Sequence, residues 1–125
     1  MMNPKFDLDA RLILFAATIV DIVESLPKTI AGNHLGAQLI RCGTSPCFNY
    51  AESQSAESRN DFIHKIKIAL KELRETYSCL RIIQQKKWLN EEKLAAMLNE
   101  NNQLIAIFVK CIETAKKNNL PKSEK

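Results

Sequence analysis

The chain has 125 residues, the size of one domain. It is 46% hydrophobic and 26% charged, with three glycines and four prolines, too few for the tight turns of a β-sandwich or barrel. Its net charge of +4 is far from a histone-like polycation, no run approaches the ~20 apolar residues of a membrane span, and residues 1–9 lack the apolar stretch of a secretory signal.

Hydrophobic periodicity predicts four helices. The first covers residues 9–26, where Leu8, Leu12, Phe15, Ile19, Ile22 and Leu26 recur at steps of four and three and so share one face. Pro27 ends it, because proline lacks the N–H that would continue the ladder. A short linker, residues 28–32, leads to a second helix over residues 33–53, with Asn33 as its cap and Leu35, Leu39, Cys42, Pro46 and Tyr50 at helical spacing. Gly43 and Pro46 leave two forms open: one kinked helix, or two shorter helices meeting near Thr44. After a polar turn, Ser58-Arg59-Asn60-Asp61 resembles a capping box with Asp in place of Glu. The third helix runs from there to Lys86, with a core stripe of Phe62, Ile66, Ala69, Leu73, Tyr77, Leu80 and Ile83. Asn90-Glu91-Glu92 starts the fourth, a capping side chain followed by two acids beside the positive end of the helix dipole. Its apolar face carries Leu94, Met97, Leu98, Asn101, Leu104, Ile105, Phe108, Cys111, Ile112 and Ala115, and it ends near Lys117. A flexible tail is expected at about 118–125. Short connections favour antiparallel neighbours, so the predicted fold is all-α: a single up-down-up-down four-helix bundle over residues 1–125.

Little in the chain suggests catalysis. Cys42, Cys47, Cys79 and Cys111 do not form a C-x-x-C pair, and without a signal sequence they are expected to be reduced in the cytoplasm. No Glu-x-x-His accompanies Glu72 and Glu75, so a di-iron bundle is not indicated. His34 and His64 have no local partner for a triad, and no glycine-rich phosphate loop occurs. The expectation is a protein without enzymatic activity, metal or cofactor.

Three surfaces exceed the needs of a core. Lys67, Lys71, Arg74 and Arg81 fall on one face of the third helix together with Asn60, His64 and Ser78, with the acids Asp61, Glu72 and Glu75 on the flank. Such a ridge can follow phosphates. It also reads as an ordinary wet surface with i,i+4 pairs such as Lys71 with Glu75. Ile68, Cys79 and Ile82 lie off the core stripe, as at an oligomer interface or on a more deeply buried helix. In the second helix Gln38, Arg41, Ser45, Asn49 and Glu52 form a polar stripe, which suits either solvent or a hydrogen-bonded seam against another helix or subunit. Residues 41–90 hold nine basic and five acidic side chains, so the excess of +4 sits in the segment bearing these surfaces.

Gln38-Leu39-Ile40-Arg41, Ser45, Asn49-Tyr50-Ala51-Glu52, Arg59 and Asp61-Phe62 resemble the signature of a bacterial four-helix-bundle family. Its members were first noticed as ribosomal-like proteins encoded in intervening sequences of 23S ribosomal RNA genes. The resemblance extends from Phe6-Asp7-Leu8 into the fourth helix, with Ser53 where the family usually has Gly and Pro46 where it often has an apolar residue. It implies a ring-like homopentamer and nucleic-acid binding. A related protein is the accessory subunit of diversity-generating retroelements, which binds a reverse transcriptase. Together these readings predict an oligomeric protein that contacts RNA or DNA backbone through Lys67, Lys71, Arg74 and Arg81. The alternative is a scaffold for a protein partner such as a reverse transcriptase.

Overall fold

The computed structural model describes residues 7–118. Four helices account for nearly all of them: α1 (Leu8–Ser25), α2 (Ile30–Ser53), α3 (Arg59–Lys86) and α4 (Glu91–Asn118). Of the tail expected at 118–125, only Asn118 lies among the described residues, where it closes α4.

Each helix starts on a side-chain cap that satisfies an otherwise orphaned N–H. Asp7 accepts from the Ala10 amide, Thr29 from Gly32, Ser58 from Asp61, and Asn90 from Lys93. The amide of Glu57, one residue before the cap, donates to the Asp61 carboxylate and ties the α2–α3 corner to the first turn of α3. Lys87 stops α3 in the left-handed conformation, φ 57°, and donates its amide to Gln84.

The start of α2 corrects the sequence reading. Thr29, not Asn33, is the cap, and Asn33 lies inside the first turn with its amide bonded to the Thr29 carbonyl. The corner is that short because Gly32 lies against Pro27: a Cβ at position 32 would collide with the Pro27 carbonyl oxygen. Of the two forms left open at Pro46, α2 takes the continuous one. Leu39, Cys42, Gly43, Pro46 and Cys47 are all buried, so packing on both sides holds the helix through the residue that cannot donate.

Neighbouring helices run antiparallel, α1 on α2, α2 on α3 and α3 on α4. Gly43 and Gly36 let α1 approach closely, Gly43 under Ile19 and Gly36 under Val23 and Leu26. Asn101 of α4 donates to the Leu73 carbonyl of α3, and Arg11 of α1 grips Glu100 and Gln103 of α4. Tyr50 and Phe108 stack across the bundle with centroids 6.2 Å apart. The predicted stripe of α1 is buried throughout. On α3 the buried face is wider than the stripe: Phe62 and Tyr77 are half-buried, while Ile63, Glu72, Thr76 and Cys79 join the core. The cause is position, since α3 packs against two helices at once.

Candidate nucleic-acid interface

The polar stripe of α2 forms much of its seam with α3. The Arg41 guanidinium donates to Glu72 at 3.0 Å and to Glu75 at 3.1 Å. Glu72 is nearly buried, with its side chain 7% exposed, so its charge needs this partner. Hydrogen bonding to Glu75, then the field of Glu72, raises the Arg41 pKa above its ordinary value. At the far end of α2, Glu52 accepts from Lys65 at 2.7 Å, and that bond raises the Lys65 pKa. Asn49 donates back to the carbonyl and hydroxyl of Ser45. Gln38 is half-buried. Arg41 and Glu52 thus serve different partners, each on α3. Those partners, Lys65, Glu72 and Glu75, were not singled out as a set by the sequence, because a stripe on one helix does not reveal what faces it.

The seam bears on the basic ridge. Lys67, Lys71, Arg74 and Arg81 are all exposed, and among the described residues none has a carboxylate within ion-pairing distance. The i,i+4 pair of Lys71 with Glu75 is not formed, because Glu75 is held by Arg41. Lys67, Lys71 and Arg74 border a shallow depression of about 420 Å³ with Leu70, Glu75 and Ser78, and the Glu75 carboxylate there is the one engaged by Arg41. Arg81 lies over the Tyr77 ring, 5.8 Å from its centroid, which restrains a long side chain without neutralising it. From Lys67 to Arg81 the ridge is about 21 Å long at 1.5 Å per residue.

Ile68, Cys79 and Ile82 do not form one outward patch. Ile68 is half-buried and Ile82 is 48% exposed, but Cys79 is buried within the protomer, its thiol directed at the Leu35 carbonyl of α2. Burial, and next the nearby Cys42, pushes the Cys79 thiol up to about 11. Burial likewise raises Cys42, Cys47 and Cys111. All four are free thiols. No group of three or more His, Cys, Asp or Glu side chains among the described residues could hold a metal ion. No helix there is long and apolar enough to cross a membrane.

At the end of the bundle where α3 begins and α4 finishes, a larger groove of about 840 Å³ opens between the α2–α3 corner and the last turns of α4. Periodicity in single helices gave no sign of it, since its walls come from three separate segments.

No curated protein matches the chain. A solved structure of a protein of unknown function from the S23 ribosomal protein family of Bacteroides thetaiotaomicron shares the fold, with a TM-score of 0.78 and 29% identity over 83% of this chain and 96% of that one. The family model described as 23S rRNA-intervening sequence protein matches residues 8–110, from the first residue of α1 far into α4. With the fold and the sequence signature in agreement over that span, the chain belongs to the 23S rRNA-intervening sequence protein family.

Proposed function

We propose that the protein is a non-enzymatic, self-associating binding protein of the cytoplasm that holds the backbone of RNA or DNA against α3. One observation carries this reading: four exposed cations share a face and none of them is in an ion pair, while two of the three flanking acids, Glu72 and Glu75, are held by Arg41. Lys67, Lys71, Arg74 and Arg81 contact phosphates, and with no base-reading element among the described residues, binding is weakly sequence-specific. The homopentamer implied by the family resemblance would repeat this ridge around a ring and raise a modest affinity by avidity. Four free thiols agree with a reducing compartment.

The test is fluorescence anisotropy with labelled single-stranded RNA and duplex DNA across a salt series. Neutralising four phosphates gives slopes of log K against log salt of about −2.8 for single strands and −3.6 for duplex, per engaged protomer. Lys71→Glu with Arg74→Glu is expected to abolish measurable binding. Unchanged binding by that variant at low salt would overturn the proposal. The second reading, a scaffold for a protein partner, draws on the large groove. It would be favoured by partners that stay bound after nuclease treatment.

A further inference from the structure

α1 has a second stripe, opposite the one buried in the core. Ala10, Ile13 with its neighbour Leu14, Ala17, Asp21 and Glu24 fall on one side of the helix, and all six are exposed. Leu14 is 68% exposed and Ile13 53%. The first half of this stripe is purely apolar and the second half purely acidic. Arg11, the sole cation of α1, is turned to Glu100 and Gln103 and does not offset it.

The groove has the opposite chemistry. Phe62, Ile107, Cys111 and Ala115 give it an apolar lining, Arg59 and Lys110 are its only charged residues, and no acid lines it. Arg59 lies across the end of α4, its guanidinium 3.5 Å from the Ala115 carbonyl, and Lys110 is exposed. An apolar hollow with two cations suits an apolar surface that carries carboxylates, and the outer stripe of α1 is such a surface. It cannot fill its own groove, because Leu12, Phe15 and Ile19 fix the other side of α1 in the core of its own bundle.

We infer that the groove of one copy receives the outer stripe of α1 from a second copy. Ile13 and Leu14 enter the apolar hollow, and Asp21 or Glu24 meets Arg59 or Lys110. The two surfaces differ, so the contact is head-to-tail. Each copy offers one of each, and repetition of the contact closes a ring or extends a chain of subunits. Most of the association comes from the apolar burial, and the rim charges set orientation. The inference rests on the self-association proposed above and adds which surfaces meet.

Sedimentation velocity on the full chain at micromolar concentration tests it, with circular dichroism to verify that each variant is folded. Leu14→Asp, and separately Arg59→Glu with Lys110→Glu, are each expected to weaken self-association at least tenfold. An equimolar mixture of the two variants is then expected to form dimers and nothing larger, because one intact stripe meets one intact groove. If the wild type is monomeric, the self-association reading falls and this inference with it. If the wild type is oligomeric and the groove variant remains so, this inference alone is overturned and the groove has another occupant. A mixture that stays monomeric also refutes it.

Discussion

Asn101 is fully buried in the middle of α4 and is the clearest place to test how the core is held together. Its Nδ2 donates to the Leu73 carbonyl at 3.0 Å, while its Oδ1 has no partner among the described residues. A buried polar atom left unpaired costs about 1–3 kcal/mol, and an ordinary hydrogen bond contributes about 0.5–1.5 kcal/mol. Asn101→Leu removes both. The Leu73 carbonyl stays in the helical ladder of α3, so no new orphan is created. The larger side chain gains apolar burial and loses some of it to crowding against its neighbours. The expected net effect is stabilisation by about 0.5–2 kcal/mol. For a chain of this size that is a rise in melting temperature of roughly 2–8 °C. Urea denaturation at matched protein concentration measures it, with concentration fixed because the proposed self-association would add to apparent stability. Asn101→Leu less stable than wild type by more than about 1 kcal/mol would refute the reasoning and show that the amide's role in α3–α4 packing outweighs its orphaned oxygen.

Two glycines of α2 should respond to alanine with opposite sign. A Cβ at Gly43 would lie 2.8 Å from two carbons of the fully buried Ile19, so Gly43→Ala is expected to destabilise by about 1–2 kcal/mol despite its better helix propensity. At Gly36 the nearest carbon is 3.4 Å away, and Gly36→Ala is expected to stabilise by about 0.5–1 kcal/mol; urea midpoints of the two variants decide both. The thiols set an alkaline limit. Cys79 ionises near 9.0 when unfolded and about 11 when folded, so the stability it contributes is complete below pH 9 and lost as pH rises through 11. The difference amounts to about 2–3 kcal/mol. Cys79→Ala should flatten the fall in urea stability between those pH values, and an unchanged slope would show that Cys79 is not its source.

Helices α3 and α4 were legible in the sequence almost to the residue, because caps and hydrophobic spacing are local. Asn90 and Ser58 announce their helices through side chains that bond amides three residues on. Thr29 was missed because the signal there is split. A β-region threonine caps the helix, but Asn33 is an equally good capping residue a few positions later, and the close contact of Gly32 with Pro27 decides between them. The limits of helical periodicity show at Cys79. A wheel orders residues around one axis and says nothing about how many neighbours that axis has. With α2 on one side and α4 on the other, α3 buries a thiol that looked like surplus surface. The basic ridge was visible as a set of angles. Its lack of acidic partners was not, because that depends on an arginine thirty residues earlier in the chain.

This last dependence links the core to the surface. α2 carries only two charged side chains, Arg41 and Glu52, and both are committed to α3. α3 bears three acids, Asp61, Glu72 and Glu75. Arg41 takes two of them, and Asp61 is turned to the amide of Glu57 at the helix start. In exchange Glu52 takes a single cation, Lys65. Arg41 and Glu52 bring one positive and one negative charge, so the seam leaves the net charge of α3 unchanged; what it fixes is the pairing, with Glu72 and Glu75 engaged by Arg41 and not by the ridge cations. Were Glu75 free, it would sit one turn from Lys71, close enough to pair with it as helical neighbours do. The same guanidinium that satisfies a nearly buried carboxylate also engages a second acid, Glu75, which borders the same depression as Lys67, Lys71 and Arg74. Packing of α2 on α3 and the unpaired state of Lys71 both depend on one ion-pair network, and a variant that removes Arg41 is expected to let Glu75 pair with Lys71 and, on the proposed function, to weaken phosphate binding.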